Sequence, residues 1–163
     1  MKRNWKIRKS LPFIKAELTN EKEVEEAFTE AEECLKRIDL LINNAGAAVG
    51  ENYEETTVEN WNSDIALNLT AHYMLTRLVL PGMVQQGSGA ITNISSVNGI
   101  QALGNPAYSA AKAALISFTQ TLAIEYGPRG IRSNVVLPGT VETPVWKHRI
   151  DARPEVFEQV KSW

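Results

Sequence analysis

One cysteine, Cys34, is all the sequence holds, so no disulfide can form within this chain of 163 residues. No apolar run approaches the roughly 20 residues that a membrane-spanning helix needs, and no apolar segment behind the N-terminus reads as a secretory signal. Internal repeats, low-complexity tracts and Pro- or Ser-rich linkers are absent too, which excludes solenoids and tethered modules. Nor is there a large charge of one sign: the formal net charge is −2, although Lys2, Arg3, Lys6, Arg8 and Lys9 put five positive charges and no negative one into the first ten residues. An arm of that length with Trp5 as its only aromatic matches no nucleic-acid recognition module, so a solvated terminus over 1–10 is expected, with no nucleic-acid partner. His72 and His148 are isolated, and no metal site is expected. With 44% hydrophobic and 22% charged residues, residues 11–163 read as a single domain with one core, cytoplasmic and not membrane-bound.

Strand and helix patterns alternate along the domain. LPFIKAEL (11–18) reads as a strand. Thr19-Asn20 followed by Glu23 is a capping-box pattern, and Val24, Phe28, Ala31, Leu35 and Ile38 recur at helical spacing, predicting a helix of about 17 residues. DLLIN (39–43) is a short apolar strand running into NAGAAVGENYEE. A long helix is predicted over 57–80 with a bend near Asn68, then a strand GAITNIS (89–95), a small-residue helix over 107–126 stopped by Gly127-Pro128, and a strand GIRSNVVL (130–137). Such alternation predicts an α/β fold, a doubly wound parallel sheet with right-handed crossovers and helices on both faces. Ligands of such sheets lie outside the carboxyl ends of the strands. Asn43 to Gly46, Ser95-Ser96 and Pro138 to Thr143 each follow a predicted strand.

Tyr108 and Lys112, at i and i+4, share one face of a helix. A free tyrosine titrates near 10, too high for an efficient base at neutral pH, and a nearby ammonium favours the phenolate. Alone the pair is weak evidence, and Ser95-Ser96 is weaker. Five signals occur together, however: NNAG after a strand, an Asn within the next helix, NISS after the following strand, YSAAK opening a helix, and PGTVET after the last strand. In that order and spacing they resemble the short-chain dehydrogenase/reductase family of doubly wound nicotinamide-dependent oxidoreductases, over about residues 11 to 160.

The resemblance implies a catalytic tetrad of Asn68, Ser96, Tyr108 and Lys112. Tyr108 would be the general acid/base exchanging a proton with the substrate oxygen as hydride passes to or from the nicotinamide. Ser96 would hold that oxygen, Lys112 would contact the nicotinamide ribose and favour the phenolate, and Asn68 would anchor a water-mediated relay. Counting thirteen residues back from the tyrosine points to Ser95 instead, but motif position favours Ser96, and neighbouring residues of a strand face opposite ways. The cofactor, NAD or NADP, would meet Glu17 and Leu18 near the adenine, Asn43, Ala45 and Gly46 along the adenosine half, Tyr108 and Lys112 at the ribose, and Pro138, Gly139, Val141 and Thr143 at the nicotinamide and phosphates. The expected reaction interconverts a secondary alcohol and a ketone.

The family's glycine-rich phosphate turn is missing. The only G-x-G, Gly87-Ser88-Gly89, precedes a strand and cannot aim a helix N-terminus at a pyrophosphate. The expected fold is therefore an incomplete three-layer Rossmann-like domain lacking the first β-α-β unit and the last strand. Strand 11–18 is then expected to pair directly with 39–43 or to stay poorly attached. The helices 57–80 and 107–126 match those of the family's four-helix dimer interface, implying a homo-oligomer. The alternative reading is a catalytically inactive fragment that binds a full-length relative through those two helices.

Overall fold

Asn20 opens the first helix in the way its capping pattern predicts. Its Oδ1 accepts from the amides of Lys22 and Glu23, and its Nδ2 donates to Glu23 Oε1. Glu21 and Glu23 add negative charge to the first turn, where the helix dipole favours it. The helix, α1, spans Glu21–Leu35 and ends at Lys36 in the left-handed region, φ 62°. The computed structural model describes residues 12–48, 52–101 and 104–141. The basic arm 1–10, Leu11 and Thr143 lie outside them.

Residues 12–17 form no strand, contrary to expectation. A strand exists through a partner's ladder, and the hydrogen bonds here are local instead: Glu17 N donates to Glu23 Oε2 and Asn20 N to Glu17 O. Of the two outcomes expected for 11–18, pairing with 39–43 does not occur: the sheet order is β1-β2-β3, with β1 Leu40–Asn43, β2 Gly89–Ile94 and β3 Ile131–Val136. Both pairings are parallel, with Leu41 beside Ile91, Asn43 beside Asn93, Ile91 beside Ser133 and Asn93 beside Val135.

Between β1 and β2 run α2 (Val58–Ile65), a π-helical turn (Ala66–Thr70) and α3 (Ala71–Gln86). Thr57 caps α2, its side chain accepting from Asn60 N. The bend expected near Asn68 is that widened turn, a feature frequent at functional sites. α3 outlasts its predicted end: Pro81 removes one donor but does not stop it, and Gly87 does, at φ 66° with its amide on the Met83 and Val84 carbonyls. α4 covers Pro106–Tyr126, with Pro106 in the first turn where its missing N–H goes unneeded.

Each strand is added on the same side of the last, and right-handed crossovers then place every intervening helix on one face. The packing agrees. Val79, Leu80 and Met83 of α3 and Leu122 of α4 bury against Ile91 and Ile131, with Phe28 of α1 and Leu41 of β1 against the same cluster. Each such side chain contributes about 1.5–3 kcal/mol. Helices were expected on both faces; among the described residues they cover one. The other face leaves Leu40, Ile42 and Val136 54%, 56% and 47% exposed. No described helix is long and apolar enough to cross a membrane.

Candidate active site

The carboxyl ends of β1, β2 and β3 release the loop 44–48, Ser95-Ser96 and the segment 137–141 to one edge of the sheet. A buried polar chain holds these ends in register. Asn43 Nδ2 donates to Asn93 Oδ1 at 2.8 Å and to Thr76 Oγ1 at 3.2 Å. Asn93 Nδ2 donates to Thr119 Oγ1 at 2.9 Å, and that hydroxyl donates to Leu115 O at 2.6 Å. All four side chains are buried, so one chain of bonds joins β1, β2, α3 and α4. Asn43, expected as a cofactor contact, thus directs its Nδ2 into the interior.

The π-helical turn and the first turn of α3 hold the loop after β1. Asn68 Nδ2 donates to Ala47 O at 2.6 Å and to Asp64 O at 2.9 Å. His72 Nε2 meets Ala45 O at 2.8 Å. Gly46, between those two carbonyls, sits so close to both helices that an added Cβ would lie 2.7 Å from Asn68 Oδ1 and 3.1 Å from Lys112 Nζ. Four expected site residues, Ala45, Gly46, Asn68 and Lys112, are thereby brought together.

Lys112 is 3% exposed. Its Nζ donates to Ile94 O at 2.9 Å and lies 5.5 Å from the centroid of the half-buried Tyr108 ring. Burial penalises the charged form and pushes the ammonium from its ordinary 10.5 down to about 8. The same desolvation lowers His72; its bond to Ala45 O opposes the change, and the positive charge of Lys112 adds to it.

The two serines part company, as their alternation requires. Ser95 Oγ donates to Lys112 O at 2.6 Å, on the helix-covered side. Ser96 Oγ accepts from Asn98 N at 3.2 Å and caps the short turn Val97–Gly99. Gly99 of that turn packs on the α4 main chain, where an added Cβ would lie 2.9 Å from Lys112 C and O. Ser95 N donates to Val136 O and Val97 N to Pro138 O, tying the ends of β2 and β3.

Outer positions are looser. Glu17 accepts from the hydroxyl and the amide of Thr19, which hold its carboxyl below the usual range. It lines a cleft of about 430 Å³ with Thr19, Asn62, Ser63, Ala66 and Leu67, beside the turn that carries Asn68. Leu18 and Pro138 are partly buried, and Gly139 and Val141 are exposed. Sequence reasoning set His72 aside as isolated and passed over Thr76 and Thr119. His72 lies four residues from Asn68, on the same helix face, and that spacing was the available signal.

A family model described as short chain dehydrogenase matches residues 2–154. An uncharacterised oxidoreductase C922.06 of Schizosaccharomyces pombe is 42% identical over 159 residues, 97% of this chain and 62% of that protein. The 2-(R)-hydroxypropyl-CoM dehydrogenase of Xanthobacter autotrophicus is 36% identical over 151 residues, 90% of this chain and 60% of that one. Among solved structures, ElxO with NADP bound superposes with a TM-score of 0.78 at 31% identity, over 83% of this chain and 56% of that one. The chain thus spans about three fifths of the length of these relatives.

Proposed function

This chain belongs to the short chain dehydrogenase family, and from that premise we propose that it carries the proton-transfer centre of an NAD- or NADP-dependent oxidoreductase interconverting a secondary alcohol and a ketone. The observation that carries the reading is the Lys112 ammonium, buried and 5.5 Å from the Tyr108 ring. A cation that close, in a poorly solvated setting, steadies negative charge as it develops on the Tyr108 oxygen during proton exchange. In the oxidative direction the Tyr108 oxygen receives the hydroxyl proton while the carbinol hydrogen departs as hydride. Ser96, left on the opposite side from Ser95, holds the substrate oxygen. Asn68 fixes the loop that Lys112 approaches.

The residues present fit the ribose end of a nicotinamide dinucleotide. Gly46 keeps the main chain within reach of the Lys112 ammonium, a position that a Cβ would block, and Lys112 can donate to ribose hydroxyls. Ala45 and the segment Pro138 to Val141 leave the same edge of the sheet, Thr143 comes two residues later in the sequence, and Glu17, next to Leu18 in the chain, lines the cleft beside the π-helical turn. When bound, the nicotinamide supplies the hydride acceptor or donor. The one G-x-G offers no phosphate cradle, since Gly87 ends α3 rather than starting a helix.

A second copy of the chain is the proposed partner, docking on the outer face of α3 and α4, where Tyr73 is 51% and Ile124 77% exposed. The non-catalytic reading is favoured by a different observation, the uncovered sheet face at Leu40, Ile42 and Val136. Titration with NADH and NADPH followed by turnover on secondary alcohols and ketones decides between them. The proposal expects binding, turnover, and a loss of about 100-fold or more in kcat for Tyr108→Phe with cofactor affinity kept within about threefold. Absence of binding at millimolar cofactor would favour the non-catalytic reading.

A further inference from the structure

His72 is fully buried, absent from the proposed proton path, and bonded to the site loop rather than to its own helix. The loop 45–47 presents two carbonyls to one helical face. Asn68 takes Ala47 O at 2.6 Å and His72 takes Ala45 O at 2.8 Å. Gly46 lies between these two attachments, where an added Cβ would stand 3.1 Å from Lys112 Nζ. A main chain held on both sides of one residue cannot pivot there without breaking one of the two bonds. We infer that His72 is a positioning residue: as an Nε2–H donor it pins Ala45, and with Asn68 it holds Gly46 at the distance from Lys112 that the nicotinamide ribose requires. This deepens the function proposed above and rests on it for the identity of the ligand.

The ring chemistry supports the assignment. Ala45 O can only accept, so the nitrogen facing it must bear hydrogen. The opposite nitrogen, Nδ1, is buried and has no protein partner. Desolvation and the neighbouring Lys112 charge keep the ring neutral, and a neutral ring with hydrogen on Nε2 leaves Nδ1 as an acceptor. The other tautomer would set a lone pair against the carbonyl. Lys112 of α4 is the charged group that acts on the ring, and the side-chain bond of His72 goes to the loop carbonyl of Ala45.

A filler of similar volume keeps the packing and removes the pin, whereas a glutamine keeps an N–H donor. The test therefore compares the wild-type chain with His72→Leu and His72→Gln by amide hydrogen exchange at Gly46 and Ala47, by NADH titration, and by long-range ¹H–¹⁵N imidazole spectra. Expected are the Nε2–H tautomer in the wild type, about tenfold faster loop exchange and about tenfold weaker NADH binding in His72→Leu, and recovery of both to within about threefold in His72→Gln. The inference is overturned by an Nδ1–H tautomer, by unchanged exchange in His72→Leu, or by equal losses in both variants. If His72→Leu does not fold, the tautomer and the wild-type-like exchange of His72→Gln decide. A wild-type chain that binds neither NADH nor NADPH would overturn the proposed function, while tautomer and exchange would still judge the pin.

Discussion

Replacing Lys112 by methionine should reverse the sign of its effect on stability between pH 7 and pH 10. The folded protein lowers the Lys112 ammonium from 10.5 to about 8. Between those values the unfolded chain binds a proton that the folded one has released, so stability rises with pH. At about 1.36 kcal/mol for each pH decade, the full gain is roughly 3 kcal/mol, and about 2.5 kcal/mol of it falls between pH 7 and pH 10. At pH 7 the charged, buried ammonium therefore costs folding about 3 kcal/mol relative to a neutral lysine. Lys112→Met removes that penalty and fills a similar volume, but it strips Ile94 O of its donor, a loss of about 1–3 kcal/mol. The variant should match or exceed the wild type at pH 7 and fall below it at pH 10. The assay is urea unfolding of both proteins at the two pH values with m-values compared. A difference that stays constant within about 0.5 kcal/mol would refute the reasoning, because it would mean that Lys112 is solvated in the folded state.

Asn43→Ala leaves Asn93 Oδ1 and Thr76 Oγ1 without their donor and should destabilise the fold by about 2–3 kcal/mol in urea; a loss under about 0.5 kcal/mol would contradict the buried chain. Gly130→Ala should cost about 2 kcal/mol or more, since Gly130 has φ 80° and an added Cβ would overlap Gly87 O; thermal unfolding reads this directly. Arg77→Ala should cost less than about 1 kcal/mol and less again at 0.5 M salt, because the Arg77 bridges to Glu21 and Glu25 are about half exposed.

The sequence by itself determined the local elements and the order of the site motifs. Asn20 with Glu23 marks a helix start, and Gly127-Pro128 marks the end of another at Tyr126, because caps and helix breakers act within a few residues. YSAAK puts Tyr108 and Lys112 on one face because a helix turns every 3.6 residues. Strand 11–18 misled for the opposite reason: its alternation is real, but a strand needs a partner's ladder, and no stretch of sequence carries its own. The covered face was likewise a matter of topology, set by the order β1-β2-β3 and the hand of the crossovers. Only the tertiary structure could turn Ser95 toward Lys112 and Ser96 away, bury the Lys112 ammonium, and set His72 against a carbonyl 27 residues earlier. Desolvation and long-range hydrogen bonds depend on what surrounds a residue in space, and that is decided when the helices close over the sheet.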